Sequence, residues 1–205
     1  MRKISSNYEN PIDNFLYIII ENISDTVHKY NISPNMITTF SNINALIGIY
    51  YLYKRNFILG AIFYFIAYFF DCLDGYIARK YNLVTKFGDY YDHISDFIKL
   101  FLYFYVLYII NPTLFIQLIP LYIILILFLL LHLHYQELLY SKKNESDTLF
   151  WINYIIPTCL KPKNKEQLKI NLSYTRFFGC GTLNLIIPLT ILFFATINPK
   201  KYKKI

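Results

Sequence analysis

The chain has 205 residues, of which 56% are hydrophobic, 20% aromatic and only 16% charged, with a net charge of +7. A soluble domain carries about 25% charged residues, so this composition excludes disorder, a collagen-like fibre, a coiled coil and a soluble enzyme. In so apolar a chain the basic excess reads as cytoplasmic flanks and contacts with anionic lipid, not as nucleic-acid binding.

Arg2 and Lys3 precede a polar stretch and no apolar core follows directly, so no secretory signal is expected. Residues 13–29 mix Phe15, Leu16, Ile18, Ile19 and Ile20 with Glu21, Asp25 and Lys29. That pattern predicts an amphipathic helix lying on the membrane surface, within a cytoplasmic segment 1–33. Ser33-Pro34-Asn35 then reads as a helix start, with Ser33 as cap and Pro34 in the first turn. A hydrocarbon core needs about 20 apolar residues in a helix. Stretches 36–53, 57–70, 97–110, 114–132 and 174–197 qualify, provided the second runs on toward Arg79 and the third begins near Gly88. The last tolerates Gly179, Gly181 and Pro188, as membrane helices do. Stretch 149–160 is apolar but only about a dozen residues long, which suits a short span, a re-entrant piece or an interfacial helix. Residues 140–147 and 161–169 are polar and loop-like, and the tail 198–205 is basic.

The expected fold is therefore all-α: a polytopic membrane helical bundle over 34–197, with six transmembrane helices, five clear and one short, behind an interfacial helix. With the Arg79–Lys86 loop on the cytoplasmic side, Lys and Arg concentrate there whether the spans number five or six. The three cysteines, Cys72, Cys159 and Cys180, are scattered and imply neither a disulfide framework nor a zinc cluster.

Asp71, Asp74, Asp92 and Asp96 are the informative residues. A carboxylate inside a span is costly and usually functional. Asp71 and Asp74 are three apart, and Asp92 and Asp96 four apart, so each pair shares one helical face. A short loop joins the two helices, which makes them antiparallel neighbours whose acidic faces meet at the cytoplasmic end. Four packed carboxylates repel unless they bind protons or cations. An all-oxygen donor set suits Mg²⁺ or Mn²⁺, and four negative charges balance two such ions. Two ions about 3.5–4 Å apart are the usual clamp for displacement at phosphorus. Gly75 and Gly88 flank the cluster and let a phosphate approach the backbone. Arg79, one turn past Gly75, can hold a pyrophosphate through a bidentate contact.

The set Asp71-x2-Asp74-Gly75-x2-Ala78-Arg79-x8-Gly88-x3-Asp92-x3-Asp96 resembles the full signature of the CDP-alcohol phosphotransferases. All its specified positions match, and chance gives this on the order of 10⁻¹⁰ per starting point. The Pro34-Asn35 helix start and the chain length also resemble the family's compact catalytic core. The resemblance implies that a second alcohol attacks the β-phosphorus of a CDP-alcohol, releasing CMP. It further implies that Asp71, Asp74, Asp92 and Asp96 ligate two Mg²⁺ or Mn²⁺ ions, with Asp96 also the general base. Gly75, Ala78 and Gly88 would line the nucleotide pocket, Arg79 and Thr85 would contact its phosphates, and Asn35 and Thr38 would face the same pocket. A homodimer and a membrane lipid as one substrate are implied as well. Members usually have six spans, and here the fifth of six is short.

The run Gly88-Asp89-Tyr90-Tyr91-Asp92-His93 resembles that of choline and ethanolamine phosphotransferases, which are usually much longer chains. By length the chain fits phosphatidylinositol, phosphatidylserine or phosphatidylglycerol-phosphate synthases better. Two other classes stay open at this point. A divalent-cation transporter also places acids in a membrane, although it does not require the glycine and arginine spacing. A catalytically inactive scaffold would not need all the motif residues.

Overall fold

The computed structural model describes residues 1–140 and 152–197. All regular structure there is helical, as expected. Helix α1 spans Pro11–Lys29, α2 Pro34–Tyr53, α3 Phe57–Lys80, α4 Lys86–Ile110 and α5 Pro112–Tyr140. A short α6 (Ile152–Ile155) and a 3-10 turn lead to α7 (Lys165–Thr175) and α8 (Cys180–Ile197).

Local sequence explains the starts. Asn10 caps α1 by accepting from the N–H of Ile12, and Pro11 follows it. Ser33 caps α2 by accepting from Met36 N–H at 3.3 Å, with Pro34 next. Asn56 and Thr85 cap α3 and α4 in the same way. Each cap satisfies a backbone donor that a helix start leaves orphaned. Asn31 and Asn82 take the left-handed conformation in the turns before α2 and α4, which asparagine tolerates better than most residues.

Among the described residues, four stretches are long and apolar enough to cross a membrane: Phe57–Lys80, Lys86–Ile110, Pro112–Tyr140 and Lys165–Ile197. Helix α2 has the length of a span and packs in the same bundle, but its hydropathy falls short of that of these stretches. The expected short span at 149–160 differs. Its first residues lie outside the described ones, as does the basic tail 198–205. The remainder forms only the four-residue α6 and the turn Thr158–Leu160. Pro157 prevents a longer helix by lacking an N–H to donate. The stretch 161–169, expected to be a loop, turns helical at Lys165, where Asn164 accepts from Gln167 N–H at 2.8 Å.

The most extensive contact is between α2 and α3, and α3 also packs on α8 and α1. Gly48 and Gly60 make the α2–α3 approach possible. A Cβ on Gly48 would lie 2.9 Å from the Tyr64 nitrogen, and one on Gly60 would lie 3.2 Å from the Gly48 oxygen. Helices in lipid associate through such small-residue contacts because apolar burial offers little drive there. An apolar core of Leu52, Phe57, Tyr103, Leu107, Ile187, Ile191 and Phe194 fills one end of the bundle. Its hydroxyls pair with one another: Tyr103 and Tyr122 at 2.8 Å, and Tyr122 to Thr190 at 2.9 Å. A second cluster, including Leu16, Ile20, Ile37, Tyr68 and Ile77, seats α1 against α2 and α3 at the other end. The outward faces keep large apolar side chains such as Ile58, Phe101, Ile123 and Leu127 exposed. Hydrocarbon is the solvent that suits them.

Candidate active site

Asp71 of α3 and both acids of α4 come together, while the backbone of α4 packs mainly on α2 and α5. Carboxylate oxygens of Asp71, Asp92 and Asp96 all lie within 4.8 Å of one another. Asp74 is not in this group. It is turned toward α2, where the Thr38 hydroxyl donates to its Oδ2 at 2.6 Å. Both partners are nearly fully buried.

Two cavities meet at the carboxylates. One, of about 240 Å³, is lined by Asn35, Thr38, Asp74, Gly75, Ala78, Arg79, Thr85 and Gly88. Apart from Asp74, expected as a metal ligand, these are the residues expected from sequence to meet a nucleotide. The other, of about 610 Å³, has a largely apolar wall that includes Leu100, Leu129, Leu133 and Ile187. Asp71, Asp92 and His93 line both, whereas Asp96 and Lys99 line only the larger one.

The two glycines differ in detail from the sequence expectation. The place of a Cβ on Gly75 lies 3.1 Å from Arg79 Nη1, so the guanidinium of Arg79 occupies that space. The place of a Cβ on Gly88 lies 2.8 Å from Asn35 Oδ1 and 3.1 Å from Thr85 Oγ1. Both glycines thus make room for site side chains, and any added side chain would push those aside. Arg79 donates through Nε to the Met1 carbonyl at 2.9 Å. Thr85 accepts from Gly88 N–H at 3.0 Å and is the cap of α4 as well as a cavity residue.

Several site residues carry no signal in the motif. Lys99 is 9% exposed, and its Nζ lies 2.6 Å from Asp96 Oδ1, 3.1 Å from Asp71 Oδ1 and 3.4 Å from Ser41 Oγ. Its spacing of three from Asp96 could have flagged it, together with the cost of a cation inside a span. The N-terminal Lys3, Glu9 and Asp13 line the smaller cavity. Lys3 pairs with Glu137, Glu9 accepts from Gln136 at 3.2 Å, and Asp13 accepts from the Tyr68 hydroxyl. Burial pushes the Asp13 carboxyl up to about 7, against the lowering effect of that hydroxyl. No local pattern announces these contacts, since residues 55 to 134 positions apart make them. His93 Nδ1 lies 2.8 Å from the Asp89 carbonyl and 3.4 Å from its carboxylate, so the two residues flanking Asp92 hold each other.

The donor set fits hard divalent cations. It consists of carboxylate oxygens, and Asp92 Oδ1 is buried with no hydrogen-bond partner. An orphaned anionic oxygen is expensive unless a cation meets it.

Comparison with known proteins agrees with the motif. The family model for CDP-alcohol phosphatidyltransferase matches residues 31–196. An uncharacterized protein of Aquifex aeolicus is 36% identical over 78 residues, 38% of this chain and 40% of that protein. The archaetidylinositol phosphate synthase of Pyrococcus horikoshii is 35% identical over 77 residues, 38% of this chain and 41% of that enzyme. The CDP-diacylglycerol–glycerol-3-phosphate 3-phosphatidyltransferase of Rickettsia typhi is 58% identical over 38 residues, 18% of this chain and 21% of that enzyme. The matched segments thus span well under half of each of these relatives.

Proposed function

Since the chain belongs to the CDP-alcohol phosphatidyltransferase family, we propose that it transfers a substituted phosphate from a CDP-alcohol to an acceptor alcohol and releases CMP. The observation that carries this reading is the shared wall: Asp71 and Asp92 stand between a smaller cavity lined by many charged and polar side chains and a larger, more apolar one. A polar nucleotide and a lipid substrate need such an arrangement.

In this reading the nucleotide and its pyrophosphate occupy the smaller cavity. Asn35, Gly75, Ala78 and Gly88 shape its walls, and Arg79 and Thr85 meet the phosphates. The guanidinium of Arg79 leaves the Met1 carbonyl to do so. Asp71, Asp74, Asp92 and Asp96 would hold two Mg²⁺ or Mn²⁺ ions. Such ions neutralise charge on the transferring phosphate and on the leaving CMP. Thr38 orients Asp74 from behind. Asp96 faces the larger cavity and keeps 46% of its side chain exposed. It is the group placed to take the proton of an acceptor hydroxyl. The acceptor oxygen then bonds to the β-phosphorus, the bond from that phosphorus to the CMP oxygen breaks, and CMP leaves. In this reading the site faces the cytoplasm, which the Lys- and Arg-rich chain flanks favour.

The donor is either CDP-diacylglycerol or a CDP-amino alcohol. The test is an assay of purified protein in lipid, offering CDP-diacylglycerol and CDP-ethanolamine each with a panel of alcohols and reading CMP. Release with at least one pair supports the reading. No release with any pair, together with divalent-ion flux into liposomes lacking a CDP-substrate, would replace it by transport.

A further inference from the structure

The ammonium of Lys99 sits among the carboxylates although the motif contains no cation there. It approaches Asp71 and Asp96 from one side, and its third neighbour is Ser41 on α2. The Ser41 hydroxyl donates to the Ala67 carbonyl at 2.9 Å, so its lone pairs face the ammonium. Asp92 Oδ1 is left without a partner.

We propose that Lys99 is a tethered cation that shares Asp71 and Asp96 with the divalent ions, and so sets how tightly this chain holds them. The proposal rests on the divalent-ion site described above. Positive charges drawing on the same carboxylate oxygens repel each other, and in a poorly hydrated site that repulsion is weakly screened. Each divalent ion therefore binds against Lys99, and each weakens the Lys99 pairing in return, because such coupling is reciprocal. Ser41 gives the ammonium an acceptor to lean on when the carboxylates turn away. Without divalent ions, Lys99 relieves repulsion between Asp71 and Asp96. Lys99 is thus a positioning residue: it acts on the reaction through the carboxylates.

The test is a Mn²⁺ titration of protein in detergent, followed by the paramagnetic signal of free Mn²⁺. The unaltered protein, Lys99→Gln and Lys99→Arg are compared. Lys99→Gln should bind Mn²⁺ about ten-fold more tightly, within the usual range of coupling between sites. Lys99→Arg keeps the charge and should stay near the unaltered affinity. Unchanged or weaker binding in Lys99→Gln would overturn the proposal while leaving the metal site intact. No Mn²⁺ binding by the unaltered protein would overturn both. If Lys99→Gln folds only when Mn²⁺ is supplied, the ion has taken over the role of the ammonium, which supports the proposal. A variant that stays unfolded in saturating Mn²⁺ would overturn it.

Discussion

The Thr38 hydroxyl donates to Asp74 Oδ2 at 2.6 Å and so ties α2 to α3 inside the bundle. This contact occupies one carboxylate oxygen of Asp74, which lies outside the close group of Asp71, Asp92 and Asp96. Thr38→Val should lower CMP release by roughly 10- to 100-fold, the usual worth of a hydrogen bond to a charged group. Thr38→Ser should keep most of the activity. Rates of CMP release at saturating Mg²⁺ check both.

Asp96 is the exposed member of the cluster and faces the apolar cavity. Asp96→Asn should abolish measurable CMP release, as loss of a general base typically costs about 10²–10⁴-fold. Mn²⁺ binding should largely persist, because three carboxylates remain. Unchanged turnover in this variant would remove the base assignment.

The α2–α3 crossing rests on two glycines. Gly48→Ala places a methyl 2.9 Å from a backbone nitrogen that cannot rotate away. It should destabilise the protein by about 1–3 kcal/mol, the ordinary cost of overpacking. Gly60→Ala has slightly more room and should cost less. Melting temperatures in one detergent rank the three proteins.

Asp13 gives a pH dependence with a defined sign. Its carboxyl titrates near 7 in the fold, against 3.8 as the reference value. Between those values the unfolded chain has released this proton while the folded chain retains it, so unfolding releases a proton. The contribution of Asp13 to stability is therefore most favourable below pH 3.8, declines as the pH rises to about 7, and is flat above that. Asp13→Asn can still accept from Tyr68 and should melt higher than the unaltered protein at pH 8. The difference should shrink toward pH 5.

Much of the site was legible because its chemistry is local. Asp71 and Asp74 share one turn, and Asp92 and Asp96 another, so helical periodicity alone puts each pair on a face. The Ser33-Pro34 start was readable for the same reason. The contacts of Lys99 carry no such local signal, since nothing in the neighbouring sequence says which oxygens a long side chain will reach. The contacts of Lys3, Glu9 and Asp13 with the smaller cavity depend on how the N-terminal segment and α1 seat against α5 and α3, which periodicity does not encode. The stretch 149–160 had enough apolar residues for a partial span, but Pro157 limits what its described part can form.

The central claim is that clustered aspartates act on a CDP-alcohol through divalent ions. The most direct measurement is CMP release by the unaltered protein, first in excess EDTA and then with Mg²⁺ or Mn²⁺ restored. The account predicts no release in EDTA and recovery with either ion. Full release in EDTA would contradict it.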